Sequence, residues 1–314
     1  MIAGYSVEEG FEEGSYAWVH FGVRESDNAP VAVKFARESD QKSLERFMFE
    51  NRILRELDGH PNIVRAYTEV GKATRGNAHK HYYVMERLKC NLSKWLDTAF
   101  TSDSYEVKVA IVKQIYATIK MIHDKNYVHR DLHEGNILMD IVGGAITPKL
   151  SDFGSAYDLS RPKKLTKPNK LMWGDLLLPP EIAFGIIDAD DPNYKNGDYY
   201  AAGMLVKVIF IGGFDTEGFL CTLQGSIQRF KQKATGQMSD RYLSARKSRE
   251  QRYQDYLEWC SAESAKFNDA CKFDDLEDDE LAAKLSVLVE KSSNLDYNQR
   301  ENNPDELMRF VNGI

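Results

Sequence analysis

One short stretch narrows the folds open to this 314-residue chain more than any other. His129-Arg130-Asp131-Leu132-His133-Glu134-Gly135-Asn136-Ile137-Leu138 follows a long amphipathic helical pattern over 105–125 and precedes a strand-like run. A buried histidine would account for His129 alone. It does not account for an Asp and an Asn five residues apart in that setting. Asp131 can orient and deprotonate a hydroxyl nucleophile. Asn136 can hold a metal ion on the opposite side of the same loop. Asp152-Phe153-Gly154 stands 21 residues after Asp131, behind the strand-like Lys149-Leu150-Ser151. A carboxylate there can chelate Mg²⁺ bridging ATP phosphates, because Mg²⁺ takes a few carboxylates plus phosphate oxygens. Gly154 allows a sharp turn behind that ligand. Alone the tripeptide is a weak signal; its order and distance from the first motif make it a strong one.

The N-terminal part alternates strand and helix patterns. Ser15 to Arg24 and Val31-Ala32-Val33-Lys34-Phe35 read as strands around the Ala29-Pro30 turn. Residues 40–57 have helical spacing through Leu44, Phe47, Ile53, Leu54 and Leu57, and Gly59-His60-Pro61-Asn62 ends that helix. Residues 63–70 and 81–87 read as strands, with Gly71 to Lys80 as a polar hairpin loop. Beyond Arg87-Leu88-Lys89 helices dominate, at 91–98 and 105–125, with short strands near 137–139 and 147–151. The change of character places a lobe boundary near 87–90. Lys34 at the end of its strand and Glu50 in the helix form a further candidate pair: a lysine that holds phosphate oxygens must itself be held.

These features together resemble the eukaryotic-type (Hanks-type) serine/threonine protein kinase superfamily, from about Glu13 to Phe310. The resemblance implies an α+β, bilobal protein-kinase-like fold. Residues 1–87 would form an N-lobe with a small antiparallel sheet and one helix. Residues 88–314 would form a mainly helical C-lobe, with an activation segment over 152–181 and a charged insert at about 213–280. By the same resemblance Lys34 holds the α/β-phosphates, Glu50 holds Lys34, Asn136 and Asp152 bind two Mg²⁺ ions, and Asp131 orients the nucleophile. ATP and Mg²⁺, with Mn²⁺ as a substitute, are the implied cofactors. Val19 and Ala32 would cover adenine from above and Leu138 from below. Met85 would be the gatekeeper, and Glu86 and Leu88 would offer backbone groups. Arg130 could receive a phosphate on the activation segment, where Ser155, Ser160 and Thr166 are the hydroxyls and Lys163, Lys164, Lys167 and Lys170 are basic. Leu178-Pro179-Pro180-Glu181, Asp198 and Arg300 look like the family's substrate platform, with a buried Glu181–Arg300 pair.

Two departures stand out. Of the glycine-rich loop only Gly14 remains; Glu12 and Ala17 occupy the other glycine places. His133 stands where serine/threonine kinases usually carry a lysine, and the usual threonine before Pro-Glu is missing. The expectation is that Asp175 keeps His133 positive near the phosphate, the two replacing that lysine–threonine contact.

The implied function is transfer of the ATP γ-phosphoryl group to a serine or threonine hydroxyl of a protein, autophosphorylation included. The rivals are a small-molecule kinase of the aminoglycoside or choline type and a pseudokinase scaffold. Intact Lys34, Glu50, Asp131, Asn136 and Asp152 argue against the scaffold. A net charge of −7 argues against a nucleic-acid partner. No apolar run spans a membrane, the acidic N-terminal stretch lacks a signal-peptide core, and Ile2 excludes N-myristoylation. Cys90, Cys221, Cys260 and Cys271 form no CxxC pair, so a reducing, cytoplasmic setting is expected. Residues 227–252 carry eight basic side chains and 274–280 six acidic ones. They read either as solvated faces or as an internal clasp or docking surface for a partner or regulator. His79 and His81 read as a solvent-facing hairpin rather than a metal pair, and His20 as structural.

Overall fold

The computed structural model describes residues 2–13, 17–37, 41–75, 78–99, 104–160, 177–188, 191–211, 225–226 and 248–314. They fall into two compact units: Met1–Asn91 with Asn136–Ala156, and Leu92–Gly135 with Tyr157–Ile314. The first unit therefore takes Asn136–Ala156, which the sequence reading assigns to the second lobe. Strand pairing is the reason. Strands β8 (Ile137–Val142) and β9 (Ala145–Leu150) form a sheet with β6 (Cys90–Asn91), and Ile63 bridges to Leu150.

The first unit is built on a five-stranded antiparallel sheet in the order β1-β2-β3-β5-β4. Its strands are β1 (Tyr5–Glu13), β2 (Ala17–Arg24), β3 (Pro30–Ala36), β4 (Gly71–Arg75) and β5 (Ala78–Glu86). β3 is buried on both faces, which is why Val31 to Ala36 reads as an unbroken apolar run around one lysine. Val31, Val33 and Phe35 pack with Ile2, Ala73 and Val84. Alternation turns Ala32, Lys34 and Ala36 to the opposite face. Helix α1 (Gln41–Glu56) buries Phe47, Glu50, Asn51, Ile53 and Leu54, and Asn51 Nδ2 donates to Thr68 O at 2.9 Å.

Two expectations fail here. Residues 63–70 make only isolated bridges (Ile63 to Leu150, Ala66 to Met85) rather than a strand. The expected loop from Gly71 to Lys80 is instead mostly β4 and the start of β5, paired with Lys72 opposite His81. Among the described side chains of β4 only Ala73 is buried, so this edge strand reads as polar.

The second unit is mainly helical, with α2 (Leu92–Ala99), α3 (Tyr105–Asp124), α4 (Pro180–Ala183), α5 (Asn196–Ile211) and helices Arg249–Ala270, Asp279–Ser293 and Pro304–Asn312. β7 (Tyr127–Val128) pairs with β10 (Tyr157–Asp158). α5 is buried from Asn196 to Phe210, packed against α3 and Asp279–Ser293. A helix apolar all round is a central one. Its Lys207 donates to Lys272 O and lies 4.2 Å from the Phe273 ring centroid; burial pushes its pKa down to about 8. Among the described residues no helix is long and apolar enough to cross a membrane. Cys260 and Cys271 are free thiols, and burial pushes both up to about 12.

Candidate active site

The sheet register gathers the nucleotide-binding candidates on one face. Val19 lies opposite Lys34, Lys34 opposite Tyr83, and Ala32 opposite Met85. Cross-strand partners share a face, as do residues two apart on one strand. Val19, Ala32, Lys34 and Met85 therefore sit together. Glu86 is turned the other way, where its carboxylate accepts from Lys149 Nζ (2.8 and 3.0 Å) and from the backbone of Arg65 (2.7 Å). Leu88 is half-buried, and Leu138 on β8 lies opposite Lys149 and Asn91. Gly14 lies outside the described residues.

Lys34 Nζ donates to Glu50 Oε1 at 2.6 Å and lies 3.3 Å from Asp152 Oδ1. Burial works against the lysine's charge, but Asp152 and Glu50 outweigh it and hold the ammonium well above its ordinary range. Burial pushes Glu50 up to about 7; Lys34 restrains that rise and Asp152 adds to it. Asp152 follows β9 in the left-handed region (φ 56°, ψ 65°), a conformation that costs a non-glycine residue about 1–3 kcal/mol. Phe153 behind it is fully buried. A Cβ on Gly154 would meet Asp152 Oδ1 at 3.2 Å and Glu50 Oε2 at 3.8 Å, so the glycine leaves room for both carboxylates. The peptide oxygen of Asn136 accepts from Ser151 N and Ser151 Oγ, both at 2.9 Å. This ties Asn136 to the turn at residue 152.

Arg130, Asp131 and His133 belong to the second unit. There Asp198, fully buried in the first turn of α5, accepts from the backbone of His129 (2.8 Å) and of Arg130 (2.9 Å). It also meets His123 Nε2 at 2.8 Å. A carboxylate only accepts, so His123 donates to it from Nε2. His129 Nδ1 accepts from the Asp131 backbone at 3.3 Å. Arg130 is left-handed (φ 68°) and fully buried, with Tyr194 Oη at 3.3 Å and the Tyr157 ring at 5.3 Å. His123 went unnoticed in the sequence, although it sits four residues after Ile119 on the buried stripe of α3.

Other expectations need correction. Ser155 is buried, which removes it as an open hydroxyl, whereas Ser160 is exposed and its Oγ donates to Asp158. Thr166 and the four lysines of that segment lie outside the described residues, as does Asp175. His133 Nδ1 accepts from Gly135 N–H at 3.1 Å. Of the basic run of the expected clasp, Arg249 and Arg252 are described. Arg249 donates to Ile186 O (3.1 Å) and reaches Asp191, and Arg252 donates to Gly185 O (3.2 Å). On the acidic side Asp278 caps its own helix and Glu280 pairs with Lys284. The basic residues from Arg229 to Lys247 lie outside the described residues. The side chain of His79 is likewise not described.

Glu181 and Arg300 form a bidentate buried pair at 2.7 and 2.9 Å. Arg300 Nε also donates to Asn294 O (2.7 Å), and the guanidinium lies 4.7 Å from the Tyr200 ring centroid.

Comparison with known proteins agrees with this geometry. The chain is 32% identical over 213 residues to the serine/threonine-protein kinase ppk23 of Schizosaccharomyces pombe, covering 65% of this chain and 48% of that one. It is 31% identical over 191 residues to the serine/threonine-protein kinase PrkC of Bacillus subtilis, covering 60% and 27%. The chain thus spans about half or less of the length of these relatives. Among solved structures it is similar to the yeast RNA Pol II CTD kinase CTDK-1 complex, with a TM-score of 0.53 and 23% identity over 68% of this chain and 64% of that one. That likeness shows the bilobal kinase fold. Residues 5–271 match the protein kinase domain, and the chain belongs to the protein kinase family.

Proposed function

We propose that this protein transfers the γ-phosphoryl group of ATP to serine or threonine hydroxyls of proteins, itself included. The observation that carries the reading is the buried Lys34–Glu50 contact with Asp152 beside it. Serine/threonine kinases among its relatives support the acceptor class. The side chains also suit the cofactors. Asn136 and Asp152 offer oxygen donors, the set a hard cation such as Mg²⁺ takes, and the Asp152 side chain is 36% exposed. Bound Mg²⁺ would neutralise charge on the phosphate oxygens. Lys34 holds the α/β-phosphates while Glu50 fixes its ammonium. Val19, Ala32, Met85 and Leu138 enclose adenine, with Glu86 and Leu88 supplying backbone groups. Asp131 aligns the hydroxyl and takes its proton. The arrangement works by positioning and charge.

The test is phosphate incorporation from γ-labelled ATP, comparing wild type with Asp131→Asn and mapping sites by mass spectrometry. Loss of a general base costs about 10²–10⁴-fold. Label on serine or threonine in the wild type alone supports the reading. ATP binding without any transfer to protein rejects it in favour of a small-molecule acceptor or a scaffold.

A further inference from the structure

Beside the Lys34–Glu50 pair the first unit buries a hydroxyl that the mechanism above does not use. Tyr83 lies opposite Lys34 across β3 and β5, so the two side chains share a face. It is fully buried, with its ring centroid 5.0 Å from that of Phe47, which stands one turn before Glu50 on α1. Thr68 ties the two elements together here. Asn51 Nδ2, next to Glu50, donates to Thr68 O at 2.9 Å, and Val84 N–H, next to Tyr83, donates to Thr68 Oγ1 at 2.9 Å. The phenol is therefore held near Glu50 whatever Lys34 does. Each group shifts the other. Burial and then Glu50 drive the phenol well above its ordinary range. Burial drives Glu50 up, and Lys34 first and Tyr83 after it restrain the rise. Yet the two do not meet in hydrogen-bond geometry: Tyr83 Oη is buried with no partner among the described residues. A buried hydroxyl left unpaired is a cost that phenylalanine at position 83 would avoid.

We propose that Tyr83 is the reserve donor of the Lys34–Glu50 pair. While Lys34 donates fully to Glu50, the phenol stands by. When the ammonium turns towards the phosphates of a nucleotide its hold on Glu50 slackens, and Tyr83 Oη–H donates to that carboxylate. A carboxyl keeps an accepting oxygen whether ionised or protonated, so the exchange needs no proton transfer. Tyr83 is a positioning residue. It acts through Glu50, keeping a buried carboxylate satisfied and α1 in place once the lysine is engaged. The inference rests on the kinase reading above, which supplies the nucleotide; the exchange of donors belongs to three side chains of the first unit.

Four proteins test it: wild type, Tyr83→Phe, Lys34→Met and the double variant. Tyr83→Phe removes the hydroxyl and keeps the ring on Phe47. Without nucleotide it should melt no lower than wild type, because the lost hydroxyl had no partner. By calorimetry it should bind Mg·ATP about 10- to 100-fold more weakly, the worth of a hydrogen bond to a charged group. A tyrosine with a merely structural role would lose melting temperature and affinity together. Lys34→Met removes the ammonium with no nucleotide present. In that background Tyr83→Phe should lower the melting temperature, because the phenol now holds Glu50. Carbon-13 at tyrosine Cζ gives a spectroscopic readout, with residue 83 assigned by the signal that Tyr83→Phe removes. That signal should move when Mg·ATP is added to wild type, and move the same way in Lys34→Met. A Tyr83→Phe protein that melts lower than wild type or binds Mg·ATP as tightly overturns the proposal. So does an equal effect of Tyr83→Phe in both Lys34 backgrounds. The calorimetry does not depend on Lys34→Met folding. A wild type that binds no nucleotide defeats the kinase reading, and the Lys34→Met pair then decides the reserve donor without it.

Discussion

The two units each bury an ion pair, and the pairs are made differently. In the second unit Arg300 meets Glu181 through two parallel hydrogen bonds, a third bond to Asn294 O and an aromatic face. In the first unit Lys34 meets Glu50 through one 2.6 Å contact, and Asp152 competes for the same ammonium at 3.3 Å. Burial leaves Glu50 titrating at about 7. The planar fork of arginine suits a fixed bidentate joint, whereas lysine is a point charge on a flexible stem. The difference separates a pair that holds the fold from a pair that can give up its cation to a ligand.

Breaking each pair should expose the contrast. Arg300→Ala leaves Glu181 charged and buried, and should cost about 3–5 kcal/mol, read as a large fall in melting temperature. Arg300→Lys should recover little of it, because the fork geometry is lost. Lys34→Met should cut phosphoryl transfer about 10²–10³-fold, as losing one preorganised donor does, with a small effect on melting. A collapse in stability as large as that of Arg300→Ala would erase the distinction.

A pH series sharpens it further. Glu50 has a folded pKa of about 7 against an ordinary 4.5. Between those values the folded chain holds a proton that the unfolded chain lacks. Its contribution to stability is fully present below 4.5 and is lost as pH rises through about 7. The ion pair moves the opposite way, since protonated Glu50 no longer anchors Lys34. Nucleotide affinity, followed by calorimetry, should therefore weaken as pH falls through about 7 while this group's stabilising contribution grows. An affinity flat across that window would place Glu50 outside it. The smallest effect belongs to an exposed pair: Asp27→Asn, which loses the Arg24 contact at 2.9 Å, should leave melting unchanged within error.

How much of this was legible in the sequence depended on distance along the chain. β3, α1 and α3 were readable because apolar spacing is local, and Lys34 stands out as the one cation in an apolar strand. β1 gives no sequence signal because Glu8 to Glu12 are all exposed, so this edge strand shows no apolar alternation. β4, the other edge strand, reads as a loop because Lys72 and Thr74 are exposed around the buried Ala73. The Glu181–Arg300 pair spans 119 residues and was reachable only through the family resemblance. The hold of Asp198 on His129 and Arg130 has no local signal at all, since an aspartate opening a helix reads as an ordinary favourable charge near the N-terminus.

Asp198 has a consequence for how the second unit opens. The amides of His129 and Arg130 lie outside any helix or strand, where solvent deuterium would ordinarily enter fast. Both are bonded to a fully buried carboxylate on the central helix. Deuterium can reach them only when α5 itself comes away, so these two loop positions should exchange on the timescale of the unit's global unfolding.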